Sequence, residues 1–525
     1  MNTSLSPALA AAIARPFGTL SDFVRMQAAI RPEHTALIQG ERAVGWRAFD
    51  DLVDRAAATL QVRGISTQEV VAICAANSIE YVVVFLGALR AGMIVTPLAP
   101  TATANSLNLM LRDSGAKILF LDAATSSHLS SLTDPVPIPR VALDGSDIAE
   151  SFEEWLLPEG SAPDVVEVPP DWGFNIIYSS GTTGVPKGII QPHSLRWGQM
   201  NPADPPGYSP LAVTLVSTGL YSNTTLTSVI PTLAGGGTLV LMDKFDARRF
   251  LELSQRHRVT HAMLVPIQYQ RLLAHPDFDR FDLSSYAMKY CTSAPFSAKL
   301  KREVLDRWPG GLTEYFGMTE GGGSCALLAH EHPDKLHTVG RPIPGHDIRV
   351  IGEDGQELPP GAVGEIVGHS GAIMTGYHNQ PGKTAEAEWF SPDGRRFIRT
   401  GDIGRFDEEG FLIIMDRKKD MIISGGFNIY PSDLESVARQ HPDVQDVAVV
   451  GVPSEQWGET PVAFVVSRRA SEEDIKAFVN ERVGKTQRLA DVRLCMELPR
   501  SHIGKILKRE LRDSYLHPAG ATSGG

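Results

Sequence analysis

The chain has 525 residues, a formal net charge of −12 and 42% hydrophobic residues. A chain of this length can bury more than one hydrophobic core, so two or more domains are predicted. The acidic balance argues against nucleic acid as the main partner, although a nucleotide could still bind at a local basic site. The four cysteines show no CxxC spacing, which favours neither a zinc site nor a disulfide framework and is typical of a reduced, cytoplasmic protein.

Neither the N-terminus nor the most apolar window predicts targeting or membrane insertion. Residues 1–17 are rich in alanine but lack the basic stretch that precedes the apolar part of a secretory signal. Residues 81–98 form the most apolar window, and Arg90 and Gly92 interrupt it. This window predicts a buried helix followed by a buried strand rather than a membrane span.

Short runs of Val, Ile and Leu alternate with amphipathic patterns in the first part of the chain. A first series has predicted strands at 69–75, 93–96 and 117–122 and a helix at 79–91. A second series has predicted strands at 213–217, 238–242, 262–265 and 288–292 and helices at 247–256 and 297–307. The alternation predicts an α/β fold with two layered, helix-covered parallel sheets. The Pro- and Asp-rich segment 133–171 is predicted to link them over the surface.

The pattern changes in the last third of the chain. Residues 338–411 have short strands broken by Gly and Pro, which predict a small antiparallel β unit. Beyond it, an α+β pattern has predicted helices at 431–440 and 471–483 and strands at 446–452, 462–467 and 492–497. The predicted domains are therefore an N-terminal domain at 1–415 and a mobile C-terminal domain at 421–525, whose tail 517–525 is predicted to be disordered. The charged run 416–420 is predicted to be the hinge, although such runs are more often plain solvated surface.

The run YSSGTTGVPKG, residues 178–188, is the most informative motif. Its glycines let the backbone approach a phosphate closely, its hydroxyl groups add donors, and Lys187 adds a positive charge. It is not the common P-loop, because no glycine directly precedes Lys187 and no Ser or Thr follows it. Taken alone, such a run is more often a flexible surface turn.

Three further segments follow this loop in the chain. Residues 314–320, EYFGMTE, place an aromatic pair beside a glycine, a threonine and a carboxylate. Residues 399–402, RTGD, offer a carboxylate on a tight turn, and residues 499–505, PRSHIGK, end in a lone lysine. The ordered set resembles the acyl-activating adenylate-forming superfamily, which includes acyl-CoA synthetases, 4-coumarate- and benzoate-type CoA ligases, luciferases and peptide-synthetase adenylation domains. The resemblance covers nearly the whole chain.

The resemblance implies two half-reactions that use ATP, Mg²⁺ and coenzyme A. A carboxylate first attacks the α-phosphate of ATP, giving an acyl-adenylate and pyrophosphate, and a thiol then displaces AMP. Because the first step brings two anions together, it needs charge neutralisation and alignment more than a protein nucleophile. Lys505 is implied to reach between the carboxylate and the α-phosphate.

The same resemblance implies the residues that bind ATP. The phosphate-binding loop comprises Ser179, Ser180, Gly181, Thr182, Thr183, Gly184 and Lys187. Thr319 is implied to contact the α-phosphate and Glu320 to hold Mg²⁺, a hard cation that prefers oxygen ligands. The adenine-binding residues are Ser293, Ala294, Pro295, Tyr315, Phe316 and Gly317, with Phe316 where the family usually has tyrosine. The ribose-binding residues are Asp402 and Arg417.

A family member rotates its small domain between the two half-reactions, which implies a hinge and a thiol passage in this chain. Lys419 occupies the hinge position. Gly425, Gly426 and Phe427 form the loop that rotation brings toward the active site, where two adjacent glycines offer a narrow passage for a pantetheine arm. Trp457 is a candidate surface contact for coenzyme A, with a packed turn aromatic as an equally weighted alternative.

The predicted acyl pocket departs from the family pattern. Thr218 and Gly219 stand where many members have an aromatic–histidine pair, and Tyr221 follows. With Gly322 and Gly323 they predict a wide, mostly uncharged pocket. The expected substrate is therefore a hydrophobic acid, either a phenylpropenoid or other aromatic acid or a medium-to-long fatty acid. The glycines could instead serve only the geometry of their loop.

The sequence thus predicts an AMP-forming acid–CoA ligase that acts on a small-molecule carboxylic acid in the cytoplasm. One alternative is an enzyme that transfers the acyl group to a carrier protein. Another is a nucleotide-binding homologue that has lost catalysis. Neither nucleic acid nor a membrane span is expected, and a homodimer is a further prediction.

Overall fold

The computed structural model describes residues 7–179, 186–200, 208–424, 427–454, 456–484, 487–500 and 505–517. Its backbone divides into a first unit, Met1–Asp347 with Gly368–Ile398, and a second unit, Ile348–Val367 with Arg399–Gly525. The predicted hinge describes a movement, and a division of the backbone into two compact units does not test a movement. The predicted domain boundaries also stay predictions.

Strands and helices alternate along most of the described chain. The strands are β1 Thr35–Gln39, β2 Arg42–Gly45, β3 Val70–Cys74, β4 Ile94–Pro97, β5 Ile118–Leu121, β6 Arg140–Ala142, β7 Glu150–Ser151, β8 Gly173–Ser179, β9 Lys187–Pro192, β10 Val213–Val216, β11 Thr238–Leu241, β12 His261–Leu264, β13 Met288–Cys291, β14 Gly311–Phe316, β15 Cys325–Leu328, β16 Arg341–Pro342, β17 Asp347–Ile351, β18 Gly364–His369, β19 Gly376–Tyr377, β20 Glu388–Phe390, β21 Arg396–Phe406, β22 Leu412–Arg417, β23 Ile422–Ser424, β24 Phe427–Ile429, β25 Val444–Ser454, β26 Gly458–Ser467 and β27 Asp491–Leu494. The helices are α1 Pro7–Ile13, α2 Leu20–Ile30, α3 Trp46–Val62, α4 Ile79–Arg90, α5 Ala104–Ser114, α6 Ala123–Ser130, α7 Phe152–Trp155, α8 His193–Trp197, α9 Asn223–Gly235, α10 Ala247–Arg256, α11 Pro266–Leu273, α12 Ala298–Arg307, α13 Pro381–Ala387, α14 Pro431–Ala438, α15 Glu472–Asn480 and α16 Lys508–Leu516, with a 3₁₀ turn at Phe278–Arg280.

Two large sheets form the first unit. One has the strand order β19-β9-β8-β4-β3-β5-β6-β7, and the other β16-β15-β14-β13-β12-β10-β11-β1-β2. Neighbouring central strands run parallel in both, as β3 does with β4 and β5, and β13 with β12 and β14. The predicted α/β fold with helix-covered parallel sheets is confirmed.

Continuous burial explains why these segments form central strands. All five residues of β3 are buried, and so is every residue of α4, which follows it. Parallel strands that are covered on both faces have such near-continuous apolar sequences. In an open sheet of this kind, ligands bind at the carboxyl ends of the strands, which directs attention to the segments after β10, β13 and β14.

Two parts of the first unit differ from the sequence-based expectation. The N-terminal hairpin β1–β2 joins the second series of strands, because β1 pairs in parallel with β11. The segment 133–171 is not only a surface link, since it contributes β6, β7 and α7 to the first sheet. Trp155 of α7 packs edge-on against Phe120 of β5 at 4.9 Å between ring centroids. Phe120 lies outside the segment, so the sequence pattern within residues 133–171 does not reveal this contact.

The C-terminal part of the second unit is an α+β structure, as predicted. Its sheet has the order β24-β23-β26-β25, with β27 pairing in parallel with β26. Ser471 caps α15 in a reciprocal capping box with Asp474. A further sheet, β17-β18-β21-β20 with β22 beside β21, contains the antiparallel strands expected before residue 411.

Among the described residues, no helix combines the length and the apolar character that crossing a membrane requires. All four cysteines are free thiols, and three of them are buried.

Candidate active site

The hairpin of β8 and β9 carries the predicted phosphate-binding motif. Ser179 lies opposite Lys187 in the antiparallel register of these strands, so the motif residues between them connect two neighbouring strands. The predicted Ser180, Gly181, Thr182, Thr183 and Gly184 lie outside the described residues, as does the side chain of Ser179. The ammonium nitrogen of Lys187 lies 5.0 Å from the centroid of the Tyr377 ring, within the range of a cation–π interaction.

Tyr377 joins two motifs that are far apart in sequence. Its hydroxyl donates a hydrogen bond to Glu320 Oε1 at 2.8 Å, while its ring faces Lys187. Burial, and then the Glu320 carboxylate, raises the pKa of Tyr377, so the hydroxyl remains a donor. Sequence reasoning missed this residue. It lies in a two-residue strand that pairs with β9, and no local pattern indicates that pairing.

Two backbone contacts hold the Thr319–Glu320 segment in place. The Met374 amide donates to the Glu320 carbonyl at 2.8 Å, and Gln191 Nε2 donates to the Thr319 carbonyl at 2.6 Å. Gln191 is 1% exposed and was also missed from the sequence. These contacts fix the backbone from which the Thr319 and Glu320 side chains project.

Glu320 was predicted to hold Mg²⁺. Within the described ranges, no group of three or more His, Cys, Asp or Glu side chains is arranged to hold a metal ion. Mg²⁺ commonly takes only one or two protein carboxylates and completes its shell with substrate phosphates and water. A single carboxylate near Lys187, with one oxygen already oriented by Tyr377, fits this mode of binding.

The predicted adenine-binding residues lie at the end of β14 or directly after β13 and β14, two neighbouring parallel strands. Ser293 has a φ of 80°, an uncommon conformation for a residue with a side chain, and its hydroxyl hydrogen-bonds to that of Thr224. Tyr315 and Phe316 end β14 and are half-buried. Ala294 and Pro295 follow Ser293, and a Cβ at Gly317 would lie 2.7 Å from Ser324 Oγ. These residues thus lie at the carboxyl ends of neighbouring strands, where ligands bind in this class of fold.

The segment after β10 contains the predicted acyl-pocket residues. Asn77 Nδ2 donates to the Thr218 carbonyl at 2.9 Å, and Asn77 Oδ1 accepts from the Leu220 amide at 2.8 Å. A Cβ at Gly219 would lie 2.1 Å from Tyr221 Cε1, so the Tyr221 ring lies directly against the glycine backbone. A side chain at position 219 would therefore displace this ring.

Gly321 and Gly322 are required by the backbone of their own loop. Their φ values are 71° and 89°, which favour glycine. A Cβ at Gly321 would lie 2.2 Å from the Ala372 carbonyl oxygen, and one at Gly322 would lie 2.7 Å from that of Gly368. Loop geometry alone is thus sufficient reason for these two glycines, and a pocket role for Gly322 and Gly323 stays a prediction.

In the second unit, three predicted residues share one charge cluster. Arg417 Nε lies 2.7 Å from Asp402 Oδ1, and the two residues are register partners in β21 and β22. Burial raises the pKa of Asp402, and the charges of Arg417 and Lys505 oppose that shift. Burial, followed by repulsion from Arg417 and Lys419, lowers the pKa of Lys505 to about 8. The predicted ribose-binding pair and the implied catalytic lysine therefore influence one another electrostatically.

The predicted hinge and thiol-binding residues are only partly described. Burial lowers the pKa of Lys419, and the neighbouring Asp416 Oδ2 accepts a hydrogen bond from the Ser432 amide at 2.9 Å. Gly425 and Gly426 lie outside the described residues, and the backbone of Phe427 begins β24. Trp457 follows β25 and is 51% exposed, which argues against the alternative of a packed turn aromatic.

Comparison with known proteins places this geometry in a family. The AMP-binding enzyme model matches residues 24–378, and the AMP-binding enzyme C-terminal domain model matches residues 433–505. The indoleacetate–CoA ligase of Aromatoleum aromaticum is 32% identical over 505 residues, covering 94% of this chain and 97% of the relative. The fatty acid–acyl-carrier-protein ligase ScoC of Streptomyces coeruleorubidus is 30% identical over 518 residues, covering 95% of this chain and 96% of the relative.

A solved structure supports the same assignment. ATP-bound MatB from Rhodopseudomonas palustris superposes with a TM-score of 0.84 at 27% identity, covering 95% of this chain and 99% of MatB. The family models, the relatives and the fold agree with the motifs that pointed to adenylate formation. The chain belongs to the AMP-binding enzymes of the acyl-activating adenylate-forming superfamily.

Proposed function

We propose that this protein is an AMP-forming acid–CoA ligase that uses ATP, Mg²⁺ and coenzyme A. The observation that carries the proposal is the contact of Tyr377 with both Lys187 and Glu320, since it brings the lysine of one motif and the carboxylate of another to one place. A cation and a candidate magnesium ligand placed together are what binding of a triphosphate requires.

The first half-reaction forms the mixed anhydride. A carboxylate oxygen of the acid attacks the α-phosphorus of ATP, the bond from this phosphorus to the bridging oxygen breaks, and pyrophosphate leaves with the electron pair. Lys187 is assigned to the leaving phosphates and Thr319 to the α-phosphate. Lys505 is assigned to the charge between the two reacting anions, which is most stabilised as the new bond forms. Glu320 would hold Mg²⁺, which would supply neutralisation of the phosphate charge.

The nucleoside and the thiol are assigned to other residues. Phe316 and the Ser293 segment take the adenine, and Asp402 with Arg417 takes the ribose hydroxyls. In the second half-reaction the coenzyme A sulfur attacks the acyl carbon, the bond from this carbon to the AMP oxygen breaks, and the thiol proton passes to solvent. Rotation about Lys419 and entry of the thiol past Gly426 are part of the proposal, with Trp457 as a surface contact.

We infer a hydrophobic acid as the substrate. Leu220, beside Thr218, Gly219 and Tyr221, lines an apolar cavity of about 20 Å³ between α4 and α9, which is a void of the core and too small for an acid, so the inference rests on the uncharged side chains predicted for the pocket and on the relatives. The relatives include an indoleacetate–CoA ligase, a feruloyl-CoA synthase and a long-chain-fatty-acid–CoA ligase, so both aromatic and fatty acids belong in the test. The residues that line the small apolar cavity are Leu20, Tyr81, Val82, Phe85, Leu86, Leu220, Leu226, Val229, Ile230 and Leu233.

The decisive experiment measures acid-dependent pyrophosphate release with indole-3-acetate, 4-coumarate, ferulate and hexadecanoate, with and without coenzyme A. We expect at least one acid to release pyrophosphate and to yield its acyl-CoA. Release of AMP without acyl-CoA would favour transfer to a carrier protein, the activity that the name of the relative ScoC indicates for that protein. Absence of pyrophosphate release with every acid would favour a non-catalytic homologue.

Two further expectations belong to the proposal. We expect a cytoplasmic protein, and we expect a homodimer. Sedimentation velocity of the purified protein at several concentrations would test the homodimer, since a monomer at every concentration would contradict it.

A further inference from the structure

A buried guanidinium lies one side chain away from the backbone of Thr319. Arg196, on α8, is 0% exposed, and its Nη2 donates a hydrogen bond to Gln191 Oε1. Gln191, on β9, in turn donates through Nε2 to the Thr319 carbonyl at 2.6 Å. The other acceptors of Arg196 among the described residues are the side-chain amide oxygens of Asn175 at 3.4 Å and Gln199 at 3.0 Å.

A cation in such a place needs compensating hydrogen bonds, because burial removes its water. Burial lowers the pKa of Arg196 to about 9, and the ring of Phe174 covers the guanidinium at 5.5 Å. Neutral amide oxygens compensate the charge only if they point toward it. The Gln191 side chain is therefore held at its oxygen by the hydrogen bond from Arg196 and at its NH₂ group by the hydrogen bond to Thr319.

The chemistry of the partners fixes the orientation of the Gln191 amide. A guanidinium only donates and a carbonyl only accepts, so the oxygen of Gln191 must face Arg196 and its NH₂ group must face Thr319. The same NH₂ group lies 3.3 Å from Asn223 Oδ1, at the first residue of α9. The reversed orientation would oppose donor to donor and acceptor to acceptor.

We propose that Gln191 and Arg196 are positioning residues for the ATP site. Arg196 sets the orientation of the Gln191 amide, and that amide holds the Thr319 carbonyl so that Thr319 and Glu320 stay in place for the triphosphate and its magnesium ion. The proposal rests on the proposed function, which assigns ATP binding to Thr319 and Glu320. Its deciding experiment therefore measures the binding of MgATP itself, which needs no acid, and the kinetic experiments use an acid that the protein accepts.

The first variant is Gln191→Glu. A carboxylate keeps a partner for Arg196 and preserves the fold, but it has no donor for the Thr319 carbonyl. We expect MgATP to bind about tenfold more weakly by calorimetry and pyrophosphate release to show a higher KM for MgATP. Thioester formation from a preformed acyl-adenylate is expected to change less than twofold. A folded Gln191→Glu protein with unchanged MgATP affinity would overturn the proposal.

Gln27→Glu is the matched control. Gln27 is 2% exposed and its Nε2 donates to the Ala234 carbonyl at 2.9 Å, so it makes the same kind of buried contact elsewhere in the first unit. We expect this variant to lose thermal stability and to keep its MgATP affinity. An equal loss of affinity in both variants would show a general effect of burying a carboxylate and would overturn the proposal.

Gln191→Met covers the case in which the glutamate variant does not fold. It has similar volume and removes the donor without adding a charge, so about tenfold weaker MgATP binding is again expected. Arg196→Met should weaken binding less, and the double variant should bind like Gln191→Met alone, because Arg196 acts through Gln191. Additive losses in the double variant would contradict this order of action.

Thr319→Ala and Glu320→Gln separate the two levels of the argument. If they weaken MgATP binding while the Gln191 variants do not, the positioning role fails and the proposed function stands. If they leave MgATP binding unchanged, the ATP site assigned under the proposed function fails and the positioning role fails with it.

Discussion

The first and second units hold their proposed ATP-binding residues by different physical means. In the first unit, Glu320 is oriented by the hydroxyl of Tyr377, and the adjoining backbone is held by the amide of Gln191. In the second unit, the buried carboxylate of Asp402 pairs with the half-buried guanidinium of Arg417 and also interacts with the charge of Lys505. The first arrangement is built mainly from hydrogen bonds between partly buried groups, and the second mainly from charges.

The difference teaches what each unit is able to do. Hydrogen bonds depend on geometry and change little with salt, so they suit a site that must be formed before the substrate arrives. Interactions between charges shift with pH, and they weaken with salt where one partner is exposed, so they suit residues whose contacts change during a reaction cycle. We therefore expect the first unit to be sensitive to the loss of single hydrogen bonds and the second to be sensitive to charge.

Replacing Lys505 should give the largest effect. In Lys505→Ala we expect adenylate formation to fall by about 100-fold or more, because the variant lacks the cation assigned to the reacting anions. Thioester formation from a preformed acyl-adenylate should stay within about twofold. Both steps are measured separately, as acid-dependent pyrophosphate release and as acyl-CoA production from added acyl-adenylate.

The exposed Lys244 provides a control, since Lys244→Ala removes one positive charge from the surface of the first unit. It should leave both steps unchanged. Equal loss of the two steps in Lys505→Ala would contradict a role confined to adenylation and would remove the contrast between the two units.

The buried histidines of the first unit should make it sensitive to acid. His193 is 1% exposed, and burial lowers its pKa to about 4. The folded state takes up a proton at His193 less readily than the unfolded state does. The stability that the neutral imidazole contributes is therefore fully present above the unfolded pKa near 6.5 and is lost as the pH falls toward 4. Between these pH values, the free energy of unfolding should fall by about 3 kcal/mol less in His193→Met than in the unmodified protein.

Urea unfolding at several pH values, followed by fluorescence, would check this expectation. The matched control is His128→Met, because His128 is exposed. This control should keep the acid sensitivity of the unmodified protein. Parallel pH profiles for the unmodified protein and His193→Met would show that the buried imidazole does not govern acid stability.

Local patterns in the sequence predicted much of the fold. The helix predicted at 247–256 is α10, Ala247–Arg256, and the strand predicted at 69–75 contains β3, Val70–Cys74. These elements have a strong period of their own or a continuous apolar run, so their identity does not depend on distant partners. The capping of α15 by Ser471 was equally local.

The contacts that assemble the candidate site could not be predicted in the same way. Tyr377 lies in a two-residue strand, and its importance arises from pairing with β9 and from the hydrogen bond to Glu320. Gln191 acts through the backbone of Thr319, which no side-chain motif records. The strands β6 and β7 are too short to show an alternating pattern. Each of these features depends on residues brought together by folding.

The pH dependence of adenylation should report on Lys505. Burial, and then the charges of Arg417 and Lys419, lowers the pKa of Lys505 to about 8, so the cation is present below this pH and is lost above it. We expect kcat/KM for MgATP in pyrophosphate release, which reports ionisations of the free protein, to fall about tenfold per pH unit above that value. Lys505→Arg should move the decline to higher pH, since a guanidinium keeps its proton. A decline at the same pH in this variant would assign the titration to another group.

Replacing Tyr377 should give the smallest effect and tests the first unit most directly. Tyr377→Phe keeps the ring beside Lys187 but removes the hydrogen bond to Glu320, so we expect about fivefold weaker MgATP binding and a higher Mg²⁺ requirement. Tyr515→Phe is the matched control, because the Tyr515 hydroxyl donates to Asp491 Oδ2 at 3.0 Å, a tyrosine–carboxylate bond between residues without an assigned role in ATP binding. An equal change in both variants would mean that the phenol of Tyr377 supports only the fold. A change confined to Tyr377→Phe that persists at high salt would instead support a site set by buried geometry rather than by long-range charge.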